Sequence, residues 1–166
     1  GDRQQLYFLS ESFYLDMQQN NHITHMYFLD QQRRVLMRMH QPDRFGDVVD
    51  RFTAVQAELL GVAASGVELG PLGTITLRVV SPWIVDGQRL GYLELGIELD
   101  DILKTIDHDS QFSVMLALHK KLLNKQHWQL GQEMLNRALD WDLLDQYVEM
   151  LGDEDTTMKK FSSILL

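Results

Sequence analysis

Apolar side chains recur at every third or fourth position near the start of the chain, which is the period of one face of an α-helix. The stripe consists of Leu6, Leu9, Phe13 and Met17. It predicts an amphipathic helix over Asp2–Gln19. We expect the helix to end at Asn20, because asparagine tolerates the left-handed conformation that closes many helices.

The following segments are rich in β-branched and aromatic residues, which is typical of strands. They predict two hairpins. The first joins Ile23–Leu29 to Val35–His40, and the second joins Thr74–Val85 to Arg89–Leu99 across an Asp-Gly turn signal. A proline at position 42 closes the first hairpin, since proline has no amide hydrogen to donate to a neighbouring strand.

The rest of the chain is predicted to be mainly helical. The other predicted elements are a mostly helical insert (Asp43–Gly61), a glycine-rich loop holding a short strand (Gly66–Gly73), a short helix (Ile102–Asp107), a last central strand (Phe112–Leu118) and two C-terminal helices (Lys120–Leu139 and Trp141–Leu151). Antiparallel strands with helices segregated from them define the α+β class. This order of elements is PAS-like.

With 166 residues, the chain is expected to form a single domain over residues 1–166. Its predicted parts are an N-terminal amphipathic helix (1–20), a five- to six-stranded antiparallel sheet with a helical lid insert (23–118), C-terminal helices (119–151) and a tail (152–166).

Polar side chains interrupt the apolar pattern of the predicted strands at alternating positions. Because successive side chains of a strand point to opposite faces, Arg38 shares a face with His40, and Tyr92 shares one with Glu94. A guanidinium offers a planar fork for a carboxylate, and an imidazole adds a further donor. These groups predict a pocket for a small anion. The expected ligand-binding residues are Arg38, His40, Arg51, Arg78, Trp83, Tyr92 and Glu94.

Each of these residues also has a purely structural interpretation. The arginines can pair internally with Glu94 or Glu68, because an unpaired buried charge is costly. His40 can bond to backbone groups. Arg51 can reach the pocket from the lid, or lie on a capped surface helix. The two aromatic residues can form a wall for a ligand, or pack in the core.

Composition excludes several classes of function. The formal net charge is −9, with 24 acidic and 15 basic residues, whereas nucleic-acid binding needs a concentrated basic face. The chain has no cysteine and therefore no disulfide, zinc-thiolate site or thiol nucleophile. His22 and His25 have no third metal ligand nearby in the sequence, so we expect no metal and no other cofactor.

No residue receives a catalytic role. Glu94 and Glu98 share a strand face, but four residues of strand separate them by about 13 Å, and glycosidase carboxylates lie about 5–9.5 Å apart. The chain also lacks the sequence motifs of serine hydrolases, zinc proteases and dinucleotide-binding enzymes. We expect a binding domain rather than an enzyme.

Five sequence segments carry a family resemblance. They are Thr24–Asp30, Arg38–Asp47, Gly66–Gly73, Leu77–Trp83 and Gly91–Gly96. Taken in order, they closely resemble the extracytoplasmic Cache sensor domains of bacterial transmembrane receptors, in the group called double Cache. The resemblance covers about Ile23–Leu103 and continues more weakly through Lys120–Leu151. A complete two-lobed sensor needs a longer chain, so the resemblance implies one lobe.

The resemblance implies a soluble fragment of a receptor, located on the periplasmic face of the bacterial inner membrane. The receptor would be a histidine kinase, a diguanylate cyclase or a chemoreceptor, and it would contact the membrane only through flanking helices. The implied partner is a small-molecule ligand, which the arginines suggest is a carboxylate, and no nucleic acid is expected. The first helix could also form a homodimer.

Two alternatives stay open. One is a dimerisation or interaction module that binds no ligand and fills its sheet with its own side chains. The other is a cytoplasmic PAS-type regulatory domain.

Overall fold

Helices and antiparallel strands occupy separate segments of the chain, which confirms the predicted α+β class. The computed structural model describes residues 3–70, 72–103, 116–134, 137 and 139–151. The helices are α1 (Arg3–Asn21), α2 (Phe52–Leu60) and α3 (Lys125–Met134), with a 3-10 helix at Lys120–Leu122. The strands are β1 (His25–Asp30), β2 (Val35–Arg38), β3 (Ala64–Leu69), β4 (Ile75–Val85), β5 (Gln88–Glu98), β6 (Leu116–His119) and β7 (Tyr147–Leu151).

Five strands form one sheet in the order β2-β1-β5-β4-β3, which confirms the predicted antiparallel sheet. The β4–β5 hairpin turns at Asp86 and Gly87, whose φ angles are 49° and 75°, as an Asp-Gly signal predicts. β1 pairs with both β2 and β5. Gly91 permits the close approach of β1, because a Cβ atom there would lie 1.9 Å from the Leu29 carbonyl oxygen.

The two faces of the sheet carry separate apolar clusters. The cluster beneath α1 contains Tyr14, Met26, Phe28, Met37 and Met39. The cluster beneath α2 contains Tyr27, Leu29, Val35, Val49, Ala54, Ala57, Val80 and Tyr92. Each fully buried large apolar side chain contributes about 1.5–3 kcal/mol. These two clusters hold the helices against opposite faces of the sheet.

Only part of the predicted apolar stripe of α1 packs against the sheet. Tyr14 is buried and donates its hydroxyl hydrogen to the Thr24 carbonyl oxygen at 2.9 Å, and Leu6 packs against the same cluster. By contrast, Leu9 and Phe13 are 74% and 50% exposed. The side of α1 that meets the sheet is therefore centred on Tyr14, and half of the predicted stripe faces outward.

The insert differs from its prediction. Residues 43–51 are not helical, and α2 begins only at Phe52. An antiparallel bridge between Arg34 and Val48 keeps this part extended. Gly61 ends α2 with a φ of 67°, as its position predicts. The glycine-rich loop contributes β3, which forms an edge of the sheet.

The C-terminal predictions were less accurate. The helix predicted over Trp141–Leu151 is wrong, because Tyr147–Leu151 is strand β7 and pairs with β6. Of the predicted central strand Phe112–Leu118, residues 112–115 lie outside the described residues, and the rest falls in β6, which within the described residues belongs to a separate two-stranded sheet. The helix predicted over Lys120–Leu139 is shorter and is preceded by the 3-10 turn. Of the predicted helix Ile102–Asp107, residues 102–103 are helical and 104–107 lie outside the described residues.

The chain divides into two compact units. The first comprises Gly1–Glu68 and Thr76–Leu99, and the second comprises Leu69–Ile75 and Asp100–Leu166. All the expected ligand-binding residues lie in the first unit. Among the helices that the structure describes, none combines the length and the hydropathy needed to span a membrane.

Candidate functional site

The α2 face of the sheet gathers most of the expected site residues. In the strand register, Tyr27 of β1 lies between Arg38 of β2 and Glu94 of β5, and Arg78 of β4 lies opposite Gly96. A Cβ atom at Gly96 would come within 3.4 Å of Arg78 Nη1, so the glycine gives that guanidinium room to lie across β5. The polar residues therefore converge at one end of this face.

The predicted aromatic wall does not form. Tyr92 lies on the α2 face within the apolar cluster. Trp83 belongs to the cluster on the opposite face, where its ring centroid is 5.4 Å from that of Phe28. Because Trp83 and Tyr92 are on opposite faces of adjacent strands, they cannot contact the same ligand on this sheet. The structure leaves Trp83 partly buried against the apolar cluster on that opposite face.

The aromatic residue that the expected site residues surround is Tyr27. The guanidinium carbons of Arg38 and Arg51 lie 4.9 and 5.6 Å from its ring centroid. The His40 ring stacks on it at 5.3 Å. Contacts of a cation with an aromatic face contribute about 0.5–2 kcal/mol. Tyr27 therefore orients three of the expected site residues.

Two arginines and two glutamates form a buried ion-pair network, which we call the arginine–glutamate cluster (Arg51, Arg78, Glu68 and Glu94). Arg78 Nη1 donates to Glu94 Oε1 at 2.8 Å, and Arg51 Nη2 donates to the same oxygen. The Glu94 side chain is fully buried, and those of Arg78 and Glu68 are 4% and 10% exposed. The two positive and two negative charges balance, as burial requires.

Glu68 connects this cluster to α2. Its Oε1 atom accepts a hydrogen bond from the Thr53 backbone amide at 2.8 Å, in the first turn of the helix. Arg51 occupies the N-cap position but makes no side-chain capping bond, which leaves its guanidinium able to reach the sheet. Glu68 thus supplies the capping acceptor that the helix otherwise lacks.

The arginine–glutamate cluster retains unused hydrogen-bonding capacity. Within the part of the chain that the structure describes, buried Nε atoms of Arg51 and Arg78 and buried Oε2 atoms of Glu68 and Glu94 have no hydrogen-bond partner. Glu68 Oε2 lies 3.5 Å from both Nε atoms, which is longer than an ordinary N–H···O bond. Leaving a buried polar group unsatisfied costs about 1–3 kcal/mol. These atoms can bind a polar partner.

Arg38 has a different internal partner from the two that the structural interpretation suggested. Its Nη1 and Nη2 atoms donate to the two carboxylate oxygens of Asp47 at 2.8 and 2.7 Å, and Nη1 also donates to the Arg44 carbonyl oxygen. This guanidinium holds the pKa of the Asp47 carboxyl below its usual range. Asp47 comes from the insert and is 49% exposed, so this pair forms one margin of the site.

Two histidines lie at the same end of the sheet. The ring centroids of His25 and His40 are 4.7 Å apart. Burial, followed by the charges of nearby basic groups, lowers the pKa of His25 to about 3 and that of His40 to about 4. Both rings are therefore neutral at pH 7, and the 3.6 Å contact of His25 with Glu98 is not an ion pair. No group of three potential metal ligands is found within the described residues.

Comparison with known families identifies the chain. Residues 1–152 match the family model dCache_3, described as a double sensory domain of two-component sensor kinase. The chain belongs to the dCache_3 family. This confirms the predicted double Cache resemblance, and it makes the chain a sensory domain for signal transduction. Double Cache domains of sensor kinases are extracellular, and Cache sensory domains are non-catalytic ligand-binding modules. No curated protein matches the chain.

Some site residues of this dCache_3 domain escaped the sequence interpretation. Tyr27 lies in a run of apolar residues and resembles a core residue. Asp47 is recognisable as a partner of Arg38 only after the insert is folded against the sheet. Glu68, by contrast, was expected as an internal partner of the arginines, and its alternation with apolar Val67 and Leu69 is a short strand pattern.

Proposed function

We propose that this dCache_3 domain is the sensor of a bacterial histidine kinase, on the periplasmic side of the inner membrane, and that it binds a small carboxylate without chemically altering it. The observation that carries the proposal is the arginine–glutamate cluster, whose four side chains each keep a buried atom without a hydrogen bond among the described residues. We further propose that the whole chain, 1–166, acts as one sensory domain. The proposed ligand-binding residues are Arg38, His40, Arg51, Arg78, Tyr92 and Glu94.

A ligand carboxylate would take the position of Glu68. Glu94 accepts close hydrogen bonds from both arginines, whereas Glu68 reaches them only at 3.5 Å. An incoming carboxylate that bonds the two Nε atoms gains charge-assisted hydrogen bonds that Glu68 does not make. It also restores the charge balance once Glu68 has turned away. Glu68 therefore binds the two arginines less closely than Glu94 does.

Displacement of Glu68 would also change the capping of α2. The same carboxylate caps the Thr53 amide, and a cap contributes about 0.5–2 kcal/mol. Two states are thus expected, one with Glu68 on the arginines and one with the ligand in its place. They differ in the hydrogen bond that Glu68 of β3 makes to α2. A ligand shifts such an equilibrium only by its differential affinity for the two states.

The Glu68→Gln variant tests this proposal. The amide oxygen of glutamine can still cap Thr53, but the charge that competes for the arginines is gone. We expect affinity for short carboxylates to rise about tenfold, which corresponds to about 1.4 kcal/mol. The measurement is thermal stabilisation by a panel of acetate, pyruvate, succinate and citrate, followed by calorimetric titration. The control is Glu58→Gln, which removes the carboxylate that pairs with Arg33 at 2.8 Å outside the cluster.

Two results would contradict the proposal. One is a panel in which no carboxylate stabilises either the wild type or Glu68→Gln. The other is equal carboxylate affinity in Glu68→Gln, Glu58→Gln and the wild type.

A second candidate function is dimerisation through α1. The large apolar side chains of Phe8 and Leu9 are 71% and 74% exposed, and Phe13 and Leu15 are 50% and 47% exposed. Apolar patches on a helix that already packs one side against a sheet are typical of protein–protein contacts. A homodimer is compatible with ligand binding, because α1 covers the opposite face from the arginine–glutamate cluster.

A further inference from the structure

A cavity lies entirely within the other unit, between α3 and residues 139–142. Its volume is about 400 Å³, and its walls include Lys125, Trp128, Gln132, Trp141 and Asp142. A cavity of this size accommodates a small organic molecule. No residue of the arginine–glutamate cluster contributes to it.

Two neighbouring residues of the cavity wall carry buried polar atoms without hydrogen-bond partners. Trp128 and Gln132 are 2% and 3% exposed, and their spacing of four residues places them on the same side of α3. Among the residues that the structure describes, Trp128 Nε1 and both amide atoms of Gln132 have no hydrogen-bond partner. Three such atoms in one wall are unusual, because buried polar groups are normally bonded.

The other wall is aromatic, and its charges are paired. The rings of Trp128 and Trp141 meet edge to face with centroids 5.3 Å apart. Lys125 Nζ lies 3.1 Å from a carboxylate oxygen of Asp142 and 5.8 Å from the Trp141 ring centroid. The unsatisfied groups of Trp128 and Gln132, an indole N–H and an amide, carry no charge, and the charge of Arg137, which also lines the cavity, is paired with Asp100. This combination suits a neutral, planar ligand.

We propose that this cavity is a second binding site, which recognises a planar molecule bearing a carboxamide. The Gln132 amide offers one donor and one acceptor side by side, and a carboxamide presents the complementary pair. The ligand N–H would donate to Gln132 Oε1, and Gln132 Nε2 would donate to the ligand carbonyl oxygen. The second lone pair of that oxygen would accept from Trp128 Nε1, while the flat part of the ligand lies beside Trp141.

Benzamide is the probe, and the indole N–H signals of the nitrogen-15-labelled protein are the readout. The chain has three tryptophans, and the signal of Trp128 is assigned by its loss in Trp128→Phe. We expect benzamide to shift the Trp128 signal saturably and to leave that of Trp83 unmoved. Acetophenone has the same shape with a methyl group in place of the amino group, and it should bind about tenfold more weakly because it leaves Gln132 Oε1 unsatisfied.

Gln132→Met removes the amide at similar side-chain volume and should weaken benzamide binding by about tenfold or more. Equal binding of acetophenone and benzamide to the wild type would overturn the proposal, whether or not the variant folds. So would undiminished benzamide binding by a folded Gln132→Met, or no shift of the Trp128 signal at millimolar benzamide. Because the readout is local to α3, these results are independent of carboxylate binding in the first unit.

Discussion

At the scale of single residues, His25 and His40 make the folded state sensitive to acid. Their pKa values are about 3 and about 4 in the folded protein, against about 6.5 for histidine in an unfolded chain. Between these values the unfolded chain binds more protons than the folded one. The free energy of unfolding must therefore fall as the pH decreases from about 6.5 towards 4.

The expected contribution of each histidine is a slope of up to about 1.4 kcal/mol per pH unit over that interval. Urea unfolding at several pH values between 7 and 4 measures it. His40→Asn should reduce the slope relative to the wild type, because one titrating group is lost. His22→Asn is the matched control for the loss of a histidine outside the sheet, since His22 is exposed directly after α1. A slope in His40→Asn equal to that of the wild type would contradict this account.

The residue scale also shows what the sequence can predict about the site. Alternation along the two predicted strands was sufficient to place Arg38 on one face with His40, and Tyr92 on one face with Glu94. Alternation could not predict that Asp47 pairs with Arg38, because Asp47 lies in an irregular segment whose position depends on how the insert folds. Nor could alternation separate Trp83 from Tyr92, since their relative faces depend on the register between β4 and β5.

At the scale of elements, α1 makes a prediction of its own. If its exposed apolar side chains form a dimer contact, the double substitution Leu9→Asp and Phe13→Asp should raise the dimer dissociation constant by a hundredfold or more, roughly 3 kcal/mol. The helix should remain folded, because these two side chains are at least half exposed. Sedimentation equilibrium measures the change, and circular dichroism checks the fold.

Gln88→Asp is the control for an added surface charge, because Gln88 is exposed in the β4–β5 hairpin and does not belong to α1. A wild type that stays monomeric at all concentrations would refute dimerisation through α1. A dimer that Gln88→Asp weakens as much as the double substitution would show that charge alone is responsible.

The elements differ in how well the sequence predicted them. The β4–β5 hairpin was predicted nearly to its ends, because an Asp-Gly turn and two long β-prone segments agree. The segment Tyr147–Leu151 was predicted as helix, although it forms β7. Its five residues are too few to distinguish the two periods, and its strand conformation depends on pairing with β6, which the local pattern does not reveal.

At the scale of the whole molecule, the ordered set of sequence motifs predicts the double Cache family, and the match over residues 1–152 confirms it. The division into two compact units was not predicted, because the glycine-rich loop Gly66–Gly73, in which one boundary falls, was interpreted as a loop within a single domain. We propose that the buried charges of the first unit bind a ligand in addition to holding the sheet together.

The most direct test is calorimetric titration of the double variant Arg78→Met and Glu94→Met with the carboxylate that stabilises the wild type most strongly. Replacing both buried partners together avoids an unpaired charge, so the variant should fold within about 2 kcal/mol of the wild type. Arg33→Met, which removes an ion-paired arginine outside the cluster, is the matched control. We predict that the double variant loses carboxylate binding while Arg33→Met retains it. Carboxylate binding by the folded double variant with wild-type affinity would contradict the account.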